Sequence, residues 1–319
     1  LPTTDRTVMH ILSTGVHDGG QWDMFANIVR KYGVVPKDVY DETYQSSNTR
    51  SMNAQLNRTL KVAAAGLRRM AADKAGADAI QAEKNKTLDA IYGFLCSCYG
   101  EPPKAFDFEF VDKDQVYHIE KNLTPLTFAE RYVGDLLDQV VSVINAPTAD
   151  KPYHKTYTIR LLGNVVEGRP VVHLNLTMDE LKAAIIAQLK AGKVVWFGSD
   201  VGHFGERTLG VWDDRSFDFA ALTGLSLAMD KADALDYGLA AMNHAMVLTG
   251  AGKPTRWKIE NSWGDKNGEK GYYVCSDSWF DQYVFQAAVE REYLGGLADL
   301  AAQEPIVLEP WDPMGTLAD

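Results

Sequence analysis

The sequence predicts an α+β fold, and three observations carry that reading. Up to about residue 105, apolar side chains recur at helical spacing. From about 106 onward they fall in short alternating or continuous runs broken by turn residues, as strands require. At 319 residues, with 46% apolar content and seven tryptophans, the chain can bury a large core. The expected organisation is one domain over 1–319, helical in 1–105, mainly β in 106–300, with 301–319 as a C-terminal arm.

Trp22, Phe25, Val29 and Tyr32 recur at helical spacing, and Gly33 with Pro36 supplies the stop. Gly19-Gly20, just before them, permits a tight turn and close approach of another backbone. Between Thr49 and Tyr99 two amphipathic helices are expected, one with Leu56, Leu60, Ala63, Leu67 and Met70 on its stripe, the other with Leu88, Ile91 and Leu95. Pro102-Pro103 ends the helical run. Phe106, Phe108 and Phe110 alternate as a strand, and β-rich segments follow to about Leu174. Thr177 and Glu180 form a capping box that opens a helix burying Leu181, Ile185 and Leu189 and ending at Gly192. Lys193–Gly198 reads as a buried strand, followed by strands bearing His244 and Asn261.

A net charge of -11 argues against a nucleic-acid surface, which needs clustered Lys and Arg. No apolar run of about 18 residues suggests a membrane span. Three cysteines do not make a disulfide framework, so a reducing cytoplasm is the expected setting. Leu1 is neither an initiator Met nor the start of a signal-like segment, and this beginning reads as a truncation.

His244 sits in the run Met242-Asn243-His244-Ala245-Met246-Val247, and Asn261 follows 17 residues later in Asn261-Ser262-Trp263-Gly264. A lone histidine in such a run is usually a packing residue. The Asn-Ser-Trp-Gly partner reverses that reading, because a histidine, an asparagine and a thiol make up a Cys-His-Asn catalytic set. The asparagine carbonyl would accept one ring N–H of His244, and Trp263 would keep water off that bond.

The thiol is the difficulty. Cys98 precedes His244 by the roughly 130–150 residues usual for such a nucleophile. A reactive thiolate, however, belongs at a helix N-terminus, where the dipole favours an anion. Cys96 and Cys98 fall at the C-terminal end of the expected helix, and Cys275 reads as a buried strand residue. The catalytic cysteine is therefore expected to lie outside this chain, which alone should be inert.

The chain resembles the bleomycin hydrolase and bacterial aminopeptidase C branch of the papain-like cysteine peptidases. The matches run nearly end to end, through Asp18–Met24, Lys31–Lys37, Gly100–Lys104, Tyr132–Asp135, Ile144–Thr148, Leu162–Val166, Val195–Gly198, Asn243–Val247, Glu260–Asp265 and Leu308–Gly315. The resemblance implies a papain-like fold, with a helical subdomain and an antiparallel, barrel-like β subdomain. It implies an aminopeptidase acting through an acyl-thioester, without metal or cofactor, on peptide substrates.

Residue by residue, the resemblance makes His244 the acid–base, Asn261 its orienting partner and Trp263 their shield. Gly19 and Gly20 would hold the substrate backbone, and Met242 and Asn243 would border the side-chain pocket. The arm would place its terminal carboxylate, here on Asp319, against the substrate's free amine. Asp319 is an added acidic residue relative to bacterial relatives, and it bears on how strict that preference is. Family members close as homohexameric rings. A non-catalytic ring or peptide-binding scaffold and an endopeptidase are the alternatives. The residue at the absent nucleophile position separates the first of these, and cleavage of N-acetylated peptides the second.

Overall fold

The computed structural model describes residues 1–252 and 256–318. The chain gathers into two compact units, residues 1–18 with 28–134, and residues 19–27 with 135–318.

The first unit is mostly helical. It contains α1 (Arg6–Thr14), part of α2 (Trp22–Tyr32), α3 (Tyr44–Ser47), α4 (Arg50–Ala72) and α5 (Ala77–Tyr99). Asp5 caps α1 by accepting from the Thr7 and Val8 amides. The expected α4 stripe is observed, with Leu56 buried and Leu60, Ala63, Leu67 and Met70 half-buried. On α5, Ile91 and Leu95 are half-buried but Leu88 stays exposed. The stripe of α2 also differs from its periodicity: Ala26 and Val29 are buried, whereas Phe25 and Tyr32 face solvent. A hairpin of β1 (Phe106–Val111) and β2 (Tyr117–Leu123) belongs to this unit rather than to the main sheet. It packs on α6 (Pro125–Tyr132) through Phe108 and Phe128, edge to face at 5.1 Å. No helix was expected at α6, yet the sequence signal is present. Thr124 caps it reciprocally with Thr127, and Pro125 stands at the first turn, where its missing N–H costs nothing.

The second unit is built on an 11-stranded sheet. After α7 (Leu136–Gln139) come β3 (Val140–Ile144), β4 (Thr156–Ile159), β5 (Val172–Asn175), α8 (Met178–Lys190), β6 (Val195–Ser199), β7 (Gly205–Glu206) and β8 (Val211–Trp212). Then follow α9 (Phe219–Thr223), α10 (Lys231–Asp236), β9 (His244–Gly252), β10 (Arg256–Glu260), β11 (Tyr272–Ser276), α11 (Asp277–Tyr283), β12 (Val284–Glu290) and β13 (Ile306–Leu308). The strand order is β13-β4-β5-β3-β12-β6-β9-β10-β11-β8-β7. Most neighbours are antiparallel, as expected, but β4/β13, β3/β5 and β8/β11 pair in parallel.

Central β12 is buried along its whole length, so its polar members need partners. Gln286 donates to Ser142 Oγ, and the Glu290 amide donates to Gln188. Helix α8 lies against this sheet, opened by the Thr177–Glu180 box as expected. Its burial of Leu181 and Ile185, each about 1.5–3 kcal/mol, outweighs the roughly 1 kcal/mol of the cap. No helix among the described residues is long and apolar enough to cross a membrane.

Lys231 on α10 is a costly feature of this core. It is buried, donates to the Val284 carbonyl at 2.5 Å and lies 4.6 Å from the Phe285 ring centre. Burial pushes its pKa well below the usual lysine range; Asp281 partly opposes this and Lys182 adds to it. The unfolded chain then holds a proton that the folded one lacks, at every pH between the folded and unfolded pKa values. Stability is expected to rise with pH through that window, by up to about 1.4 kcal/mol per unit. Urea midpoints measured against pH should show this slope in the native chain and lose it in Lys231→Met; equal slopes would refute it.

Candidate active site

His244 opens β9 and Asn261 follows directly on β10, so neighbouring strands bring the two together. Register decides whether they face each other. Lys258 pairs with Gly250, but Ile259 pairs with Leu248, so β9 carries one extra residue, a bulge at Thr249. With side chains alternating along each strand, Ile259 and Asn261 lie on the face of Leu248, Met246 and His244.

The result is a hydrogen bond between His244 Nε2 and Asn261 Oδ1 at 2.9 Å. That oxygen also accepts from the Ser262 amide at 2.8 Å, which fixes it as the carbonyl and Nε2 as the donor. Nδ1 is left as the basic nitrogen. Trp263 stacks on the imidazole, with ring centres 4.8 Å apart and planes 23° from parallel. It is seated in an aromatic group with Trp212 and Tyr273. Burial lowers the His244 pKa, the Asn261 bond raises it, and the Arg207 guanidinium lowers it again.

Gly19 lies against the arm: a Cβ there would run into the Leu317 carbonyl oxygen. Gly20 has open space on that side. Met242 is buried, and its carbonyl accepts from Thr316 of the arm at 2.9 Å. The Asn243 side chain is taken up instead by the buried Asp200 carboxylate, at 2.6 Å, and by the Val201 amide. Asp319 lies outside the described residues.

The arm is firmly docked up to Ala318. Residues Pro313–Ala318 form a 3-10 helix with Met314 and Leu317 buried. Gln21 donates to the Met314 carbonyl, and buried Lys151 pairs with Asp312 at 2.9 Å. Gly198 makes room for the arm, since a Cβ there would meet Met242 Sδ at 3.0 Å and a Leu317 methyl at 3.2 Å. Sequence reasoning assigned no part to Gly198 or Arg207.

Cys275 is buried on β11, and burial pushes its thiol well up, with Asp277 adding to the effect. Cys96 and Cys98 lie in the last turn of α5, at the negative end of the helix dipole. None has the setting of an activated thiolate.

The Peptidase C1-like family model matches residues 1–315. Aminopeptidase C of Streptococcus thermophilus is 51% identical over 320 residues, which cover 98% of this chain and 72% of that protein. Bleomycin hydrolase of Homo sapiens is 38% identical over 329 residues, covering 100% of this chain and 72% of its own. The crystal structure of PepW from Lactobacillus rhamnosis HN001 superposes with a TM-score of 0.94 at 50% identity, covering 98% of this chain and 72% of that one. The match over nearly the whole chain and the shared fold show that the chain belongs to the Peptidase C1-like family, with its papain-like α+β fold.

Proposed function

We propose that this chain carries the acid–base part of a cysteine aminopeptidase. The observation that carries it is the His244–Asn261 bond under Trp263, which holds the imidazole with Nδ1 free to act. The thiol, on this reading, comes from a segment outside residues 1–319, because Cys96 and Cys98 sit in the last turn of a helix rather than at a helix N-terminus, and burial pushes the Cys275 thiol well up. His244 Nδ1 takes the thiol proton as sulfur attacks the carbonyl carbon of the first residue. It then gives that proton to the departing amine, leaving an acyl-thioester. Water, deprotonated by the same nitrogen, attacks the thioester and releases the free amino acid and the thiol. The pair needs no metal or cofactor for these steps.

The preference for a free N-terminus would come from the arm. It runs beside Gly19, Gly198 and Met242, and a carboxylate at its end would pair with the substrate ammonium. The same reading makes the protein a cytoplasmic homohexamer. Its free cysteines and the exposed Val62, Tyr92 and Phe94 on α4 and α5 are consistent with that, and light scattering would measure the mass.

Two measurements test the reading. The enzyme with its thiol is expected to hydrolyse an aminoacyl arylamide and to leave the N-acetylated form uncut; equal cleavage would make it an endopeptidase. Residues 1–319 alone are expected to be inert. Activity in that chain that disappears in Cys98→Ala would overturn the assignment of the nucleophile.

A further inference from the structure

Arg207 is an exposed cation in the loop between β7 and β8. Its guanidinium carbon lies 4.4 Å from the Trp263 ring centre, and Trp263 in turn stacks on His244. The three form a stack of guanidinium, indole and imidazole. Among the described residues no carboxylate is in ion-pair range of Arg207, although the chain carries a net charge of -11. The carboxylate of Glu206 beside it accepts from the Leu209 amide. Arg207 is exposed and also interacts with the Tyr273 hydroxyl; with five N–H groups, a planar guanidinium seated on an indole can still donate to a carboxylate in a fork.

The arm hydrogen-bonds to the carbonyl of Met242, two residues before the histidine, so on the aminopeptidase reading it occupies the amino-terminal side of the cut bond. The part of the substrate after the cut bond must therefore leave along the other, past Trp263 and Arg207. His244 has to reach the amine nitrogen of that leaving part. In a dipeptide, the carboxylate carbon is only two bonds beyond this nitrogen, about 2.5 Å. In a longer peptide it is farther on.

We propose that Arg207 binds the C-terminal carboxylate of a one-residue leaving group, so that dipeptides with a free carboxylate are the favoured substrate class. This rests on the aminopeptidase reading above. The stack also explains why the cation is held on Trp263 rather than on a carboxylate of its own: a permanent ion pair there would compete with the substrate.

Binding can be read without turnover. Titrating residues 1–319 with alanine, the product such a dipeptide would release, is expected to shift the Trp263 indole N–H resonance. Alaninamide should not shift it. Arg207→Met should abolish the alanine response, and Arg207→Lys should keep part of it. In the enzyme with its thiol, Arg207→Met should lower kcat/KM for Ala-Ala about tenfold, through KM, as loss of one charge-assisted contact predicts. Ala-Ala amide and alanine anilide should change by less than about twofold.

An equal fall on all three substrates would mean that Arg207 only supports Trp263. No change on any, or an alaninamide shift equal to that of alanine, would remove the carboxylate contact. If the native enzyme cuts none of the three, the aminopeptidase reading fails, and the alanine titration still decides the role of Arg207.

Discussion

His244→Ala is expected to lower kcat/KM for an aminoacyl arylamide by about 10³–10⁴-fold, with little change in thermal stability. On the mechanism proposed above, the imidazole both takes the thiol proton and supplies the proton to the departing amine, so its loss would affect both halves of the cycle. Half-buried beneath Trp263 at the mouth of β9, it contributes little to the core. Asn261→Ala should cost less, about 10²-fold, because the ring remains but its orientation and tautomer are no longer held. The decisive comparison is the double variant. Since Asn261 acts only through His244, His244→Ala/Asn261→Ala should be no worse than His244→Ala alone. Additive losses would mean that Asn261 has a separate part in the chemistry. In residues 1–319 the imidazole should titrate below the usual 6.5, and in Asn261→Ala lower still, because the one contact that raises its pKa is gone. A rise in that variant, followed by NMR, would contradict the hydrogen-bond geometry.

Acid lability is the second large effect, and it originates at His173, which has no part in the chemistry. His173 on β5 is fully buried. Ser142 Oγ receives a hydrogen bond from Gln286 and lies in hydrogen-bond contact, 2.8 Å, with His173 Nδ1, while Nε2 is buried without a hydrogen-bond partner among the described residues. Protonation would place a charge on a buried ring whose Nε2 has nothing among the described residues to receive its hydrogen. Burial pulls the pKa from the usual 6.5 down to about 4. The sign follows directly: between those values the unfolded chain is protonated and the folded chain is not, so stability present above pH 6.5 is lost as the pH falls toward 4. The loss from this residue reaches about 3 kcal/mol, a large share of a typical domain's net stability. Urea midpoints from about pH 7 to 4 should fall steeply in the native chain and less steeply in His173→Gln. Identical slopes would place the acid sensitivity elsewhere.

The parts of the site written in contiguous residues were legible. His244 and Asn261-Ser262-Trp263 form a local pattern, and Gly19 announced a close backbone approach that turned out to be Leu317. Helix periodicity placed Cys98 at the C-terminal end of its helix, and α5 does end at Tyr99. What could not be read depends on partners distant in sequence. Asn243 belongs to Asp200, Gly198 is required by an arm more than a hundred residues later, and Arg207 matters only because a loop folds it onto Trp263. The parallel pairings of β3, β4 and β8 were equally hidden, since an apolar run does not state the direction of its neighbour. Helix α6 is a different case: its Thr-Pro start was there to be read, and the neighbouring aromatic alternation masked it.

The extra residue at Thr249 makes the site a matter of parity. Removing one residue between His244 and Thr249, or between Lys258 and Asn261, would leave the sheet paired and its core composition almost intact. It would nonetheless turn Asn261 to the opposite face from the histidine. Removing two would shift the pair along the strands but keep it on one side. Within these two segments, evolution can therefore change length in even steps or leave it alone, whereas single-residue changes must fall elsewhere in the chain.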